Sequence, residues 1–173
     1  PVLSIRKEGN TPAWGAVFEQ YFQEIDKVKG QKGVLSVEKK LFVETNNGTN
    51  RQIRPVTPEQ PLRIGDKVIV RLTIRTDREM NYVFLKDLRA GCFEPADQLS
   101  GPESRDGIWY YRSPKDVSEN FFINRLPEGT FVLEYPVYVS RSGEYAGGIS
   151  TIQCMYAPEF VSHTAGESLR IMP

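Results

Sequence analysis

Apolar and polar residues alternate along much of this chain. In Lys67–Arg75, Val68, Val70, Leu72 and Ile74 fall on one face, and three charged residues and a threonine occupy much of the other. That alternation predicts a half-buried strand, because successive side chains on a strand point to opposite sides of the sheet. Phe131, Leu133, Tyr135, Val137 and Val139 repeat the pattern with Glu134 opposite. Pro136 cannot donate to a ladder, which predicts an edge or a bulge there. Leu35, Val37, Leu41 and Val43 form a third run, with Glu38 and Lys40 turned outward. Shorter candidates are Tyr82–Arg89, Ile108–Arg112, Glu119–Asn124, Ile149–Tyr156 and Glu167–Met172, and Val2–Lys7 alternates as well.

Turn chemistry separates these runs. Asn46-Asn47-Gly48 between two extended stretches predicts a hairpin, since Asn and Gly tolerate positive φ. Asp106-Gly107, Pro127-Glu128-Gly129, Ser142-Gly143 and Gly147-Gly148 punctuate the remainder. Many short strands at this spacing predict an all-β fold, an antiparallel β-sandwich with little helix. One segment is ambiguous. Trp14, Val17, Phe18, Tyr21, Phe22, Ile25 and Val28 follow helical spacing, with Thr11 as N-cap, Pro12 as first helical residue and Gly30 as stop. Yet Trp14, Ala16, Phe18 and Phe22 also alternate.

The chain has 173 residues, with 22 Lys+Arg against 22 Asp+Glu, and so no net charge. A nucleic-acid binder normally rests on a cationic face, so neutrality argues against that class. At 39% hydrophobic residues the chain can build a core without a metal. No apolar run approaches the roughly 18–20 residues of a membrane span, and no signal peptide is visible. A chain opening Pro1-Val2-Leu3 reads as a piece of a longer protein or a mature form.

Candidate chemistry is sparse. Cys92 and Cys154 are the only cysteines; they are read either as buried free thiols or as a disulfide. They cannot make a zinc knuckle, which needs four nearby ligands. His163, the single histidine, sits in a stretch read as an exposed connection. The pairs Glu94/Asp97 and Asp116/Glu119 read as solvated loop charges rather than as an acid and base. GxxxxGK[ST], GxSxG and HExxH are absent, so no catalytic residue, cofactor site or metal site is assigned. Trp109, Tyr111 and Arg112 form a candidate interaction surface for a sugar or a peptide. Three consecutive aromatics, Trp109-Tyr110-Tyr111, cannot share one face of a strand, so at least one enters the core.

The later half carries more specific strings. Gly65-Asp66-Lys67-Val68 is followed by Tyr82-Val83-Phe84-Leu85-Lys86-Asp87-Leu88-Arg89-Ala90-Gly91-Cys92-Phe93-Glu94-Pro95. Leu126-Pro127-Glu128-Gly129-Thr130-Phe131-Val132-Leu133-Glu134-Tyr135 comes next, then the Gly143–Tyr145 turn and Ile152-Gln153-Cys154-Met155-Tyr156-Ala157-Pro158-Glu159-Phe160. In this order they resemble the C-terminal domain of bacterial alpha-2-macroglobulin family proteins, the counterpart of the receptor-binding domain of animal macroglobulins. The resemblance covers about residues 34–173. Residues 1–30 resemble the last strands of a preceding CUB-like module, which tips Trp14–Phe22 towards strand.

The resemblance implies a role rather than a reaction. Such proteins trap proteases after cleavage of a bait segment, and many carry a thioester. The Cys-Gly-Glu-Gln thioester motif is absent here, and no bait-like stretch or receptor-binding lysine helix is recognisable. The implied reading is a non-catalytic module of a protease inhibitor, packed against neighbouring domains and meeting proteases only through the full-length protein. The implied location is extracytoplasmic, in the periplasm or anchored to the outer membrane through the parent chain, with no membrane insertion by this fragment. The competing reading is an extracytoplasmic carbohydrate- or peptide-binding module.

Overall fold

The computed structural model describes residues 4–47, 50–57 and 59–173. Its strands are β1 (Ser36–Asn47), β2 (Asn50–Pro55), β3 (Leu62–Arg63), β4 (Lys67–Thr76), β5 (Met80–Leu88), β6 (Phe93–Pro95), β7 (Gly101–Arg105), β8 (Ile108–Pro114), β9 (Ser118–Leu126), β10 (Gly129–Val139), β11 (Gly143–Ala146), β12 (Ser150–Cys154), β13 (Ala157–His163) and β14 (Ser168–Met172). Two antiparallel sheets face each other. One has the order β2-β1-β4-β10-β6 and the other β13-β12-β5-β9-β8-β7. A small third sheet, β11-β14-β3, adds the one parallel pairing among the described residues, Ile171 beside Leu62.

The predicted alternation is realised almost position by position in the central strands. Val68, Val70, Leu72 and Ile74 of β4 are buried, as are Phe131, Leu133, Tyr135, Val137 and Val139 of β10. Val83 and Leu85 of β5, Phe121 and Ile123 of β9 and Ile152 of β12 meet them from the opposite sheet to form one core. Pro136 causes no bulge: β10 pairs with β4 without interruption from Gly129 to Tyr138. Val139 bonds Asp66 and Gly65 on the β4 side, so period two turns the Pro136 nitrogen towards the opposite edge. There β6 covers only Val137–Val139, so the missing donor falls on the less occupied side.

β1 and β2 form the predicted hairpin, with Asn47 opposite Asn50; Gly48 of its turn lies outside the described residues, as do the first three residues of the chain. Asp106 (φ 51°) and Gly107 (φ 81°) make the β7–β8 turn, both in the left-handed region that a tight hairpin needs.

Several expectations are corrected. Ile149–Tyr156 is not one strand, because β12 ends at Cys154 and a turn at Met155-Tyr156 leads into β13. His163 ends β13 rather than lying in an exposed connection, and its main chain bonds Gln31 in both directions. Gly143–Tyr145 is part of strand β11 and pairs with β14. Trp14–Phe22 forms neither helix nor strand; the nearest regular structure is one 3-10 turn, Ile25–Lys27. Trp14 is 95% exposed and Phe18 93%, so no apolar surface is buried to stabilise either conformation.

Candidate functional site

Alternation places charged as well as apolar side chains between the sheets. Lys39 of β1, Asp87 of β5 and Glu119 of β9 all point inward. Lys39 donates its ammonium to Asp87 Oδ1 at 2.9 Å and to the carbonyls of Leu88 and Gly147. Asp87, completely buried, also accepts from Ser150 Oγ at 2.7 Å and from the Tyr135 hydroxyl. Glu119, equally buried, accepts from Arg89 Nη1 at 2.9 Å and Arg112 Nε at 2.7 Å. Tyr135 joins the two halves, since the Arg112 guanidinium lies 5.9 Å from its ring centroid. Burial first, and then the Asp87 carboxylate, push the Tyr135 phenol well above its ordinary range.

This layer explains two charged positions of the Tyr82–Pro95 string: Asp87 and Arg89 tie opposite sheets and neighbouring strands together, while Lys86 and Glu94 are exposed. It also corrects the reading of Glu119 as a solvated charge. Arg89 Nε, Arg112 Nη2 and Ser162 Oγ are buried with no hydrogen-bond partner among the described residues. Cys92 and Cys154 are both free and buried, so no disulfide forms. Burial pushes the Cys92 thiol up to about 11, which keeps it protonated and unreactive at neutral pH. Among the described residues no group of three or more His, Cys, Asp or Glu side chains could hold a metal ion.

The outer face of the six-stranded sheet differs in character. Register places Pro102, Tyr111, Phe122, Phe84, Gln153 and Val161 in one row across all six strands. The row carries no charge. Phe84 and Phe122 stack at 4.9 Å between ring centroids, and Phe122 and Tyr111 are exposed. Trp109, on the same side of β8 as Tyr111, is 72% exposed. Arg112 does not share this face: it lies inward with Tyr110, because period two separates it from Trp109 and Tyr111. Beyond the row, Tyr82 adopts a left-handed φ of 55° and meets Tyr156 edge-on at 5.1 Å. That backbone state costs a tyrosine about 1–3 kcal/mol. Sequence reading missed Phe84 and Phe122 as surface residues, since a lone strand's pattern does not say which face a second sheet covers.

A second feature is a groove where β1 and β14 converge. One lobe, of about 970 Å³, is lined by Leu41, Val56, Leu62, Leu169 and Met172 among others. An adjoining lobe of about 550 Å³ lies between Val37, Lys39 and residues 163–167.

The bacterial alpha-2-macroglobulin MG10 domain model matches residues 35–159, spanning most of both sheets and the ionic layer. The chain belongs to that family. The fold agrees with solved structures of bacterial alpha-2-macroglobulins. Salmonella alpha-2-macroglobulin reacted with methylamine superposes with a TM-score of 0.65 at 21% identity, over 84% of this chain and 10% of that one. Escherichia coli alpha-2-macroglobulin spanning domain MG7 to the C-terminus gives 0.64 at 16% identity, over 83% of this chain and 24% of that one. A Dictyostelium discoideum protein named circularly permutated Ras protein 2 is 28% identical over 109 residues, which is 63% of this chain and 3% of that protein. This MG10 domain thus spans a small part of the length of each relative.

Proposed function

We propose that this chain is the non-catalytic C-terminal module of a bacterial alpha-2-macroglobulin-like protease inhibitor, acting by packing against neighbouring modules of its parent. The uncharged aromatic row across the six-stranded sheet carries this reading. Exposed apolar patches of this kind mark interaction sites on soluble domains, and a flat sheet face accepts a second layer about 10 Å away. The ionic layer supports it differently, by tying the two sheets into a body that moves as one unit. Rigid-body motion about module interfaces can transmit a switch made elsewhere.

In this reading residues 1–30 are the terminal strands of a preceding CUB-like module. Their aromatic residues stay exposed here because the rest of that module's sheet is elsewhere in the parent. Proteases meet the parent, outside the cytoplasm, in the periplasm or at the outer membrane. The test is Tyr111→Glu with Phe122→Glu in the parent protein. Expected are faster proteolysis at the module boundaries and loss of protease inhibition, with the module's own circular dichroism unchanged. Unaltered inhibition and proteolysis would overturn the reading.

A second reading, a carbohydrate- or peptide-binding module, is favoured by Trp109 and Tyr111 standing exposed on one side of β8. Glycan- or peptide-array binding that is lost on Trp109→Ala, with the fold intact, would support it.

A further inference from the structure

The groove between β1 and β14 is walled by two unpaired strand edges. β2 covers β1 only from Phe42 onward, and Leu41 accepts its bond from Val56. Period two turns the main-chain groups of Val37 and Lys39 to that same side, where no described residue bonds them. On β14, Glu167 bonds Gly147 on the β11 side, so Ser168 and Arg170 direct their main-chain groups the other way. β3 meets β14 at Ile171 and Met172, a register in which Leu62 bonds the Arg170 carbonyl, so the open edge of β14 is Ser168 and the Arg170 amide. Val37 lines only the smaller lobe and Phe42 only the larger, while Glu167 lines both and Met172 only the larger, so β1 and β14 run in the same direction along the groove.

The chain itself supplies a strand without a sheet at the mouth of this slot. Ser168 Oγ donates to Asp26 Oδ2 at 3.1 Å, and Gly166 N donates to Val28 O at 2.8 Å. A Cβ on Gly166 would lie 1.9 Å from the Ile25 carbonyl, so this contact requires glycine. Residues 25–28 are therefore fixed beside the start of β14, and Trp14–Phe22 lies just upstream. Folded back from this anchor, Trp14–Phe22 would run antiparallel to both walls. Its nine residues reach about 30 Å, more than the open edges Val37–Lys39 and Ser168–Arg170 need. Trp14, Ala16, Phe18 and Phe22 alternate to one side, matching an apolar floor of Leu41, Val56, Leu62 and Leu169.

We infer that Trp14–Phe22 is a strap that closes the slot as an added antiparallel strand between β1 and β14. Closure excludes the same segment from any strand in a preceding module, so the strap exchanges between two partners. A neighbour can use the slot only while the strap is out of it.

The test uses the 173-residue chain. With Trp109→Phe, Trp14 is the only tryptophan, and its fluorescence reads the strap directly. Closure predicts blue-shifted, acrylamide-shielded emission that becomes solvent-exposed on adding Phe18→Asp and Phe22→Asp. The amides of Val37, Lys39, Ser168 and Arg170 are expected to exchange at least about tenfold more slowly in the parent sequence than in the Asp variant. Unchanged exchange of the Leu72 and Leu85 amides confirms that both chains are folded. Equal exchange at the four edge amides, or protection that vanishes on dilution and so comes from a second copy, overturns the inference. Either failure leaves the docking role of the aromatic row untouched.

Discussion

Glu119 is completely buried and carries the charge of one side of the ionic layer. It balances two buried guanidiniums, and neither Arg89 nor Arg112 can reach bulk water easily. Arg112 keeps Asp97 at 3.4 Å and Glu103 at 3.5 Å, but Glu119 is the carboxylate that Arg89 pairs with. Removing one partner of a buried ion pair costs about 3–5 kcal/mol, because the remaining charge is left uncompensated. Glu119→Gln is therefore expected to lower the denaturation midpoint sharply in urea, whereas a loss under 1 kcal/mol would show that the layer is not electrostatically coupled. Glu134 behaves differently, since it lies on the outer side of β10. Burial raises its carboxyl, but Arg71 at 2.6 Å and Arg105 at 2.7 Å outweigh that and hold it below the ordinary value of 4.5. A lowered folded value means that the group stabilises the protein above its unfolded pKa. The contribution is lost as pH falls through the folded value. Glu134→Gln should thus be less stable than the parent sequence at pH 7, with the gap closing on acidification. A gap independent of pH would exclude this pair as its source. The thiols give a third check: Cys92 and Cys154 should react with a disulfide reagent only after unfolding, as two thiols per chain. Fewer than two would mean a disulfide that the structure does not contain.

At the scale of elements, β4 is the centre of the five-stranded sheet, laddered by β1 on one side and β10 on the other. Leu72→Ala removes a side chain that is completely buried and is expected to cost about 2–5 kcal/mol in thermal or urea unfolding. A loss under 1 kcal/mol would place the core elsewhere. β4, β10 and β5 were legible in the sequence because one buried face and one solvated face imprint period two on the chain. Edge elements were not. β7 (Gly101–Arg105) has no apolar run, and its position follows from pairing with β8 through the Asp106-Gly107 turn. β13 was merged partly with β12 and partly with a loop, because Met155-Tyr156 is a turn without glycine. The Trp14–Phe22 segment shows the limit of periodicity most plainly. Both helical and strand spacing could be read there, and neither forms: Trp14 and Phe18 stand 95% and 93% exposed, so the apolar stripe is packed against nothing. The ionic layer was invisible for a related reason: charges at inward positions of β1, β5, β8 and β9 look like breaks in a pattern until the sheets are brought face to face.

For the whole molecule, the arrangement is a sandwich with an unusual division of labour. Its interior carries charge, and its outer six-stranded face carries an uncharged aromatic row. Ionic layers of this type contribute little net stability compared with well-packed apolar residues, so the physical effect lies in fixing how the two sheets meet. The outer row then stays in register, which face-to-face packing with another module requires. The most direct measurement is hydroxyl-radical footprinting of Trp109, Tyr111 and Phe122 in the isolated chain and within the parent protein. The account predicts strong labelling of all three in the isolated chain and marked shielding of Tyr111 and Phe122 in the parent. Equal labelling in both would contradict it, because the aromatic row would then face solvent in the assembled protein and could not be a packing surface between modules.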